Sequence, residues 1–338
     1  MQSLTLLSPR ELAWEDVPEP ELSNTGALVR PLAVSACDFD HLLTSGRIRL
    51  PLPVAIGHEC VGEVLLVGDE VNNVKPGDRV IVCFQINCGT CHNCLKGQTS
   101  SCQAVPWLSA YGLGKAGGSR GGAMSDKIMV PYADTMLIPY PPELPLSQAP
   151  CLSCNIADAY RCVVPQLENR PGAPVLICGG DFNNIAIYAG LMATICGASQ
   201  VDLYGLPKSD EIKAKRLGLS VYSQPQDVPL NHYPIVVDAS RQVEHLHLAI
   251  AAAAPAGELT SIAMYVENNT PMPLMSMFEK CLTFKIGQPH IQGVIKAALA
   301  LVVKHRDDFA AVIDAVVPWE QAPAVFVKGG GKTVFVRD

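Results

Sequence analysis

The stretch PVLICGGDFNNIAIYAGLMATICGASQVDLYG, residues 174–205, decides the fold class of this 338-residue chain. Its first apolar run, 174–180, has the composition of a fully buried strand, and the apolar segment 185–198 has the length of a helix. Residues 199–205 form the next strand candidate. Strands and helices that alternate in this way predict a parallel sheet with helices on both faces.

The rest of the chain contains two different patterns of predicted secondary structure. The alternation continues through a helix candidate at 209–218 and a strand candidate at 233–240. Most of the first 150 residues instead contain short β-branched segments bounded by Gly, Pro, Asn and Asp, which predict a β-barrel-like domain. The clearest of these segments are ALVRPLAVSAC (27–37), VGEVLLVG (61–68) and DRVIVCF (78–84).

Composition excludes several classes of protein. Hydrophobic residues make up 49% of the chain and charged residues 17%, which is typical of a protein with a sizeable core. A net charge of −7 disfavours nucleic acid or an anionic membrane as the main partner. The sequence shows no signal peptide and no membrane-spanning run, so its thirteen cysteines predict reduced thiols and metal ligands in the cytoplasm.

Four cysteines form an unusually specific motif within INCGTCHNCLKGQTSSCQ, residues 86–103. Four thiolates from one loop can close a tetrahedral shell around zinc and leave no position for catalysis. Iron–sulfur clusters use shorter final spacings and usually a following proline, which favours a structural zinc over that alternative and over free thiols. We therefore expect His92 to be exposed rather than a ligand, and the zinc ligands to be Cys88, Cys91, Cys94 and Cys102.

Further upstream, Cys37 ends a strand-like run, and His58 and Glu59 open the segment GHECVGEV. Thiolate and imidazole are suitable zinc ligands, and a catalytic zinc site takes three protein ligands and an exchangeable position. Each residue alone is more typical of a core than of a metal site. Their occurrence together with the four-cysteine motif favours a second zinc, which would be catalytic.

Five segments together resemble the zinc-dependent alcohol dehydrogenase branch of the medium-chain dehydrogenase/reductase family. The resemblance covers nearly the whole chain and implies a GroES-like β-barrel catalytic domain at 1–150 and 288–338. It also implies a Rossmann domain, with a doubly wound parallel sheet, at 151–287 and an active site in the cleft. The segments are VSACDFD (34–40), GHECVGEV (57–64), VKPGDRV (74–80), the four-cysteine motif and LSCNIADAYRCV (152–163).

The resemblance implies roles for residues around the catalytic zinc. Cys37 and His58 match the first two ligands, and Cys154 matches the third, with Cys151 as a nearby competitor. Glu59 matches an acidic residue that coordinates the metal directly or stands just behind it.

Three residues of the segment after Cys37 bear on proton transfer. Asp40 matches the carboxylate that orients the zinc histidine through its second ring nitrogen. The hydroxyl residue that usually passes the substrate proton outward is replaced by Phe39, and the usual relay histidine by Leu42. A phenyl ring carries no proton, so either His41 or water serves instead, or the reaction differs from simple alcohol oxidation.

The dinucleotide turn departs from the usual G-x-G-x-x-G pattern, in which glycines allow a tight turn and close approach to the pyrophosphate. The corresponding residues run from Gly179 and Gly180 through Asp181 and Phe182 to Asn183 and Asn184. Asp181 brings a carboxylate to the place of a diphosphate, which is unfavourable unless a cation or a rearranged loop intervenes.

The end of the next strand bears on the choice of cofactor. Gly205 stands where NAD enzymes place an acidic residue, and Lys208 could meet a 2′-phosphate, with Lys213 and Arg216 as weaker candidates. We therefore expect NADP(H) in preference to NAD(H). Gly287 matches the strand end beside the nicotinamide, and the role of Asp158 stays open between a site near the nicotinamide and a solvated helix face.

The sequence thus predicts a zinc-dependent oxidoreductase that transfers a hydride between a nicotinamide cofactor and an alcohol or carbonyl compound. One alternative is a biosynthetic reductase of a conjugated or imine-like intermediate, and another is a structural or binding protein that has lost its cofactor. We expect a small-molecule substrate and a homodimer or homotetramer, joined at a strand edge near 260–266. Candidate pocket residues are Phe39, Trp107 and Tyr111.

Overall fold

The computed structural model describes residues 1–267 and 269–337. The chain forms two compact units, which we call the first unit (Met1–Ala157 together with the chain from His290 onward) and the second unit (Asp158–Pro289). The sequence had predicted the changes of domain after residues 150 and 287. Cys154 therefore lies in the same unit as Cys37 and His58.

The N-terminal part of the first unit consists mainly of short strands with three short helices between them. Its β-branched segments form antiparallel pairs whose apolar side chains are buried, as in β3, where seven of the nine residues are buried. The strands are β1 (Gln2–Ser8), β2 (Glu11–Asp16), β3 (Ala27–Ser35), β4 (Val54–Ala55), β5 (Glu59–Val67), β6 (Arg79–Val82), β7 (Ile128–Val130) and β8 (Leu137–Pro139). The helices are α1 (Asp38–Thr44), α2 (His92–Leu95) and α3 (Ala133–Met136).

The second unit has the predicted alternation of strands and helices. A 3-10 helix, Ala149–Ser153, leads into α4, whose N-terminal residues still belong to the first unit. The strands are β9 (Val175–Cys178), β10 (Val201–Tyr204), β11 (Ser220–Tyr222), β12 (Tyr233–Asp238), β13 (Ala253–Ser261) and β14 (Thr283–Ile286). The helices are α4 (Asn155–Asn169), α5 (Asn183–Ile195), α6 (Lys208–Arg216), α7 (Val243–Ala252) and α8 (Leu274–Glu279).

Among the described residues, the six strands of the second unit form one parallel sheet in the order β11-β10-β9-β12-β13-β14. The order reverses between β9 and β12, and ligands of such sheets bind beyond the carboxyl ends of the strands at this point. The strand near 260–266 is not an edge, because Thr260 and Ser261 pair with both β12 and β14. The edge on this side is β14, so this part of the sequence prediction was wrong.

The C-terminal part returns to the first unit. Strand β16 pairs antiparallel with β3, so the last strand completes the sheet that carries Cys37 at its end. Lys332, just before β16, lies beside Ala36, which follows β3, and beside Glu59 of β5. The elements are α9 (Ile291–Lys304), α10 (Arg306–Ala310), β15 (Ala315–Pro318), α11 (Ala322–Lys328) and β16 (Thr333–Val336).

No helix among the described residues has both the length and the hydropathy that a bilayer crossing requires.

Candidate metal centres and dinucleotide turn

Three residues from separate parts of the first unit converge in its interior. Cys37 follows β3 and precedes α1, His58 directly precedes β5, and Cys154 lies between a 3-10 helix and α4. One ligand atom from each lies within 4.8 Å of the others, and all three residues are buried. Two thiols and an imidazole are the donor set of a catalytic zinc site, so the residues fit the metal that the sequence predicted. We call this group the Cys/His cluster.

Cys154, and not its competitor Cys151, belongs to the cluster. Cys151 lies fully buried with its Sγ 3.5 Å from Ser35 Oγ. The Cys154 thiol forms a hydrogen bond with Cys37. This bond and the neighbouring His58 hold the pKa of Cys37 well below its ordinary value, although burial acts in the opposite direction. The cluster therefore favours a thiolate at Cys37, which is the form that binds metal.

Asp40 lies beside the histidine that the resemblance pairs it with. Its Oδ1 lies 3.2 Å from His58 Nδ1, and its Oδ2 accepts a hydrogen bond from the Cys37 amide at 2.9 Å. Burial opposes the ionisation of Asp40, but His58 and that amide lower its pKa below the ordinary value. Since Nδ1 faces Asp40, the Nε2 atom of His58 is left for a metal.

Glu59 lies outside the Cys/His cluster because both of its oxygens bind other groups. Oε1 accepts a hydrogen bond from the Asn155 backbone amide at 2.7 Å, and Oε2 accepts from Ser35 and from the Lys332 ammonium. Burial raises the pKa of Glu59 to about 7, and the Lys332 charge opposes that rise. Of the two roles predicted for Glu59, these contacts fit the one behind the metal ligands.

Two residues of this region, Lys332 and Asn155, were not predicted from the sequence. Lys332 is fully buried, and its ammonium contacts Glu59, Asn155 and the Ala36 carbonyl. Burial disfavours this charge, but Glu59, Cys151 and Cys37 raise the pKa of Lys332 above its ordinary value. No motif in the sequence marks this lysine, which directly precedes the apolar run TVFV at 333–336.

Helix α1 separates Phe39 from His41. The Phe39 ring packs edge-on against His58 at 6.1 Å between ring centroids, and Phe84 approaches the same imidazole at 5.2 Å. The His41 ring instead packs against Phe326 of α11, with Nδ1 near the turn at Gly329. Burial lowers the pKa of His41. The structure therefore does not bring the predicted relay histidine to the Cys/His cluster.

The other predicted pocket aromatics have different environments. Tyr111 is buried and donates its hydroxyl to the Met129 carbonyl at 2.8 Å. Trp107 is 76% exposed. Of the three candidates, Phe39 alone contacts a residue of the Cys/His cluster among the contacts described here.

The four-cysteine cluster consists of Cys88, Cys91, Cys94 and Cys102, whose sulfur atoms lie within 4.8 Å of one another. Sulfurs bound at about 2.3 Å to one tetrahedral zinc are about 3.8 Å apart. The Cys88–Cys102 and Cys91–Cys102 sulfur separations are 3.6 and 4.0 Å. The group therefore fits zinc, and His92 is exposed beside it.

Backbone amides support the sulfurs of this cluster. The Cys88 amide donates to Cys102 Sγ at 3.4 Å, and the Cys91 amide donates to Cys88 Sγ at 3.3 Å. The Gln103 amide lies 3.4 Å from Cys91 Sγ and is the main cause of a pKa of about 6 for that thiol. Such N–H···S bonds stabilise the thiolate form of a cysteine even without a bound metal.

The dinucleotide turn follows β9 at the point where the sheet order reverses. Asn183, the first residue of α5, accepts a hydrogen bond from the Gly180 amide at 2.8 Å and donates to the Gly180 carbonyl at 2.9 Å. The Asp181 carboxylate pairs with Arg241 at 2.7 Å. Of the two conditions that the sequence analysis left open, a cation or a rearranged loop, Arg241 supplies the cation, and its charge offsets that of the Asp181 carboxylate.

The same turn is bonded to the loop after β12. The Asp181 amide donates to the Ser240 carbonyl and the Phe182 amide to the Ala239 carbonyl, at 3.1 and 3.0 Å. A Cβ at Gly180 would lie 2.4 Å from the Ser240 oxygen, so only glycine fits there. The helix N-terminus remains the element of the turn that suits a phosphate, with Asn184 buried in its first turn.

The remaining cofactor candidates are spread over the second unit. Gly205 has a φ of +79°, and a Cβ there would lie 2.4 Å from the His245 ring, which bonds the Gly179 carbonyl at 2.9 Å. Lys208 is largely exposed and pairs with Glu211 at 3.2 Å, whereas Lys213 is buried.

Asp158 and Gly287 are linked through Arg161. Asp158 pairs with the Arg161 guanidinium, which also donates to the Gly287 carbonyl at 3.1 Å. Asp158 is buried, so it is not a solvated acid on the helix surface.

Comparison with known proteins agrees with this geometry. Residues 23–141 match the alcohol dehydrogenase GroES-like domain. The glutathione-independent formaldehyde dehydrogenase of Pseudomonas aeruginosa is 28% identical over 244 residues, which cover 68% of this chain but only 60% of that relative. A zinc-type alcohol dehydrogenase-like protein of Schizosaccharomyces pombe is 24% identical over 83% of this chain and 76% of its own length.

A solved structure extends the likeness to the whole chain. The alcohol dehydrogenase TADH from Thermus sp. ATN1 superposes with a TM-score of 0.90 at 28% identity and covers 100% of both chains. Residues 23–141 thus match the GroES-like domain of the alcohol dehydrogenases, and together with the two cysteine clusters the whole chain is similar to zinc-type alcohol dehydrogenases of the medium-chain dehydrogenase/reductase family.

Proposed function

We propose that this protein is a zinc-dependent oxidoreductase that transfers a hydride between a nicotinamide cofactor and an alcohol or carbonyl substrate. The observation that carries this function is the buried convergence of Cys37, His58 and Cys154. Three protein donors leave one tetrahedral position for a substrate oxygen or water, which distinguishes this cluster from the closed four-cysteine cluster.

A zinc ion held there would act as a Lewis acid that polarises the substrate oxygen. The protein residues supply the remaining conditions. Asp40 holds His58 with Nε2 toward the metal site, and the rings of Phe39 and Phe84 shield the imidazole from water. Since Phe39 cannot carry a proton and His41 packs against Phe326, we infer that water, rather than His41, exchanges the substrate proton.

The cofactor preference that we propose is NADP(H). Gly205 leaves no carboxylate at the end of β10 to bind a ribose 2′-hydroxyl, and the exposed Lys208 begins the following helix. The Asp181–Arg241 pair supplies a guanidinium at the same edge of the sheet. Recognition of the diphosphate would then fall to the N-terminus of α5 and to Arg241.

Two alternatives are favoured by specific observations. The absence of a hydroxyl at Phe39 favours a reductase of a conjugated or imine-like compound, for which no alcohol proton has to be relayed. The bonding of the Asp181 and Phe182 amides to the loop after β12 favours a binding protein that has lost the cofactor.

Cofactor titration separates these functions. Purified protein is titrated with NADPH and with NADH while the nicotinamide fluorescence is followed, and activity is then measured with alcohols, aldehydes, enones and imines. We expect NADPH to bind more tightly than NADH. If neither nucleotide binds at millimolar concentration, the oxidoreductase function is wrong.

We also propose a homodimer or homotetramer in the cytoplasm. Strand β14 is the edge of the parallel sheet and exposes Ile286, while the preceding α8 exposes Leu274, Met275 and Phe278. An unpaired edge beside exposed apolar side chains is a suitable surface for a second copy. Light scattering of the wild type should give a multiple of the 36.1 kDa chain mass, and Phe278→Asp should lower it. A wild-type monomer would contradict the assembly.

The thirteen free cysteines support a reducing compartment.

A further inference from the structure

Asn155 places one amide group against both thiols of the Cys/His cluster. The residue is fully buried, and its Nδ2 lies 3.0 Å from Cys37 Sγ and 3.9 Å from Cys154 Sγ. A side-chain amide nitrogen carries two hydrogens and can donate to two acceptors. One donor group therefore reaches two of the three residues that would hold the metal.

Lys332 fixes which end of the amide faces the sulfurs. Its ammonium only donates, and it lies 2.6 Å from Asn155 Oδ1. The other two donors of the ammonium are directed to Glu59 and, at 3.0 Å, to the Ala36 carbonyl. A flipped amide would set its N–H groups against the ammonium and its oxygen against the thiolates, so only one orientation is consistent with the contacts.

The backbone of Asn155 is anchored by the same network. Its amide donates to Glu59 Oε1 at 2.7 Å, so the residue's own unpaired amide at the start of α4 is satisfied without the side chain. The start of the helix therefore does not require the Asn155 side chain as a hydrogen-bond partner. The side chain extends to the two sulfurs instead, and helix formation does not account for that contact.

We propose that Asn155 is a positioning residue for the metal-binding thiolates, held in place by Lys332 and Glu59. Donation from Nδ2 fixes Cys37 and Cys154 and withdraws electron density from their sulfurs, so the metal that they bind becomes a stronger Lewis acid. This role rests on the proposed catalytic zinc, but it concerns the thiolates and is measured without cofactor or substrate.

Two substitutions that keep the number of side-chain heavy atoms test this role. Asn155→Leu removes the donor, and Asn155→Asp keeps an oxygen toward Lys332 while it replaces the donor with an acceptor. Asn169→Leu and Asn169→Asp are matched controls, because Asn169 is the exposed last residue of the same helix and bonds only the Pro165 carbonyl among the contacts described here. The Asp variant keeps the test decisive if Leu prevents folding.

The readouts are the sulfur-to-cobalt absorption bands of the cobalt-substituted protein and zinc affinity measured against a chelator. The four-cysteine cluster contributes equally in every variant. We expect the bands of the Cys/His cluster to move to longer wavelength in both Asn155 variants, more so in Asp, and one of two zinc ions to bind roughly 10- to 100-fold more weakly. The Asn169 variants should match the wild type.

Unchanged bands and unchanged zinc affinity in Asn155→Leu or Asn155→Asp would overturn the role. A failure of the protein to bind NADPH or NADH would instead count against the oxidoreductase function alone, because neither metal readout involves a nucleotide.

Discussion

The four-cysteine cluster and the Cys/His cluster belong to the same unit but are held together in different ways. The first takes all its ligands from residues 88–102, and backbone amides donate to its sulfurs. The second takes ligands from residues as far apart as Cys37 and Cys154, and side chains such as Asp40, Asn155 and Lys332 support it.

The first cluster is therefore a local site, stabilised by the backbone of one loop, and the second depends on a network of buried side chains. Backbone amides are present whatever the side chains are, so the four-cysteine cluster tolerates changes around its ligands. The Cys/His cluster depends on individual buried side chains, and each of them has partners that would be left unsatisfied by its loss. Substitutions beside the ligands should therefore have large effects in one cluster and small effects in the other.

The largest expected effect follows Cys154→Ser. Loss of a ligand removes the Lewis acid, whose contribution of several kcal/mol corresponds to a fall in kcat/KM of about a thousandfold. Steady-state kinetics with NADPH and an aldehyde measure it. Cys151→Ser is the matched control, since that buried thiol lies outside the cluster, and it should keep its zinc. Equal losses of activity and zinc in both variants would contradict the assignment of Cys154.

Lys332→Met should lower the free energy of unfolding by about 3–5 kcal/mol, because it leaves the buried Glu59 without its cationic partner. Urea unfolding followed by circular dichroism measures the change. The exposed Lys328 of α11 provides the control, and Lys328→Met should stay within about 0.5 kcal/mol of the wild type. A similar small change for Lys332→Met would show that the network is not tightly coupled.

Asp40→Asn should weaken zinc binding at the Cys/His cluster by roughly 10- to 100-fold, because the group that orients His58 Nδ1 loses its charge. Competition with a chelator measures this affinity, and the exposed Asp69→Asn serves as control. Unchanged affinity would mean that the imidazole is oriented without Asp40.

Thr90→Val gives the smallest expected effect and tests the other half of the comparison. Thr90 Oγ1 lies 3.6 Å from Cys88 Sγ, but backbone amides already donate to the sulfurs of this cluster. Zinc affinity should change by no more than about twofold, the size expected for an exposed substitution of about 0.5 kcal/mol. A loss as large as that of Asp40→Asn would remove the distinction between the clusters.

The sequence predicted those features of the structure that depend on residues close together in the chain. The β9–α5–β10 alternation follows from apolar runs, and the four-cysteine cluster follows from ligand spacing within one loop. Cys154 was reached only through the resemblance, since nothing local distinguishes it from Cys151. Arg241 beside Asp181 was not predicted, because the contact arises from strands that become neighbours only in the folded sheet.

The sequence predicted the three residues of the Cys/His cluster, but it did not predict the buried side chains that contact them. His41 was a relay candidate because it adjoins Leu42, which occupies the position of the usual relay histidine, but the helical period turns it away from Phe39 toward Phe326. Lys332 and Asn155 are 177 residues apart and carry no motif, so only the pairing of β16 with β3 reveals their contact.

Zinc content tests the existence of two independent centres most directly. Elemental analysis is applied to the wild type, His58→Gln, Cys91→Ser and the double variant. We expect about two zinc ions per chain in the wild type, about one in each single variant and none in the double variant. About one zinc in the wild type, retained in His58→Gln and lost in Cys91→Ser, would show that the Cys/His cluster holds no metal.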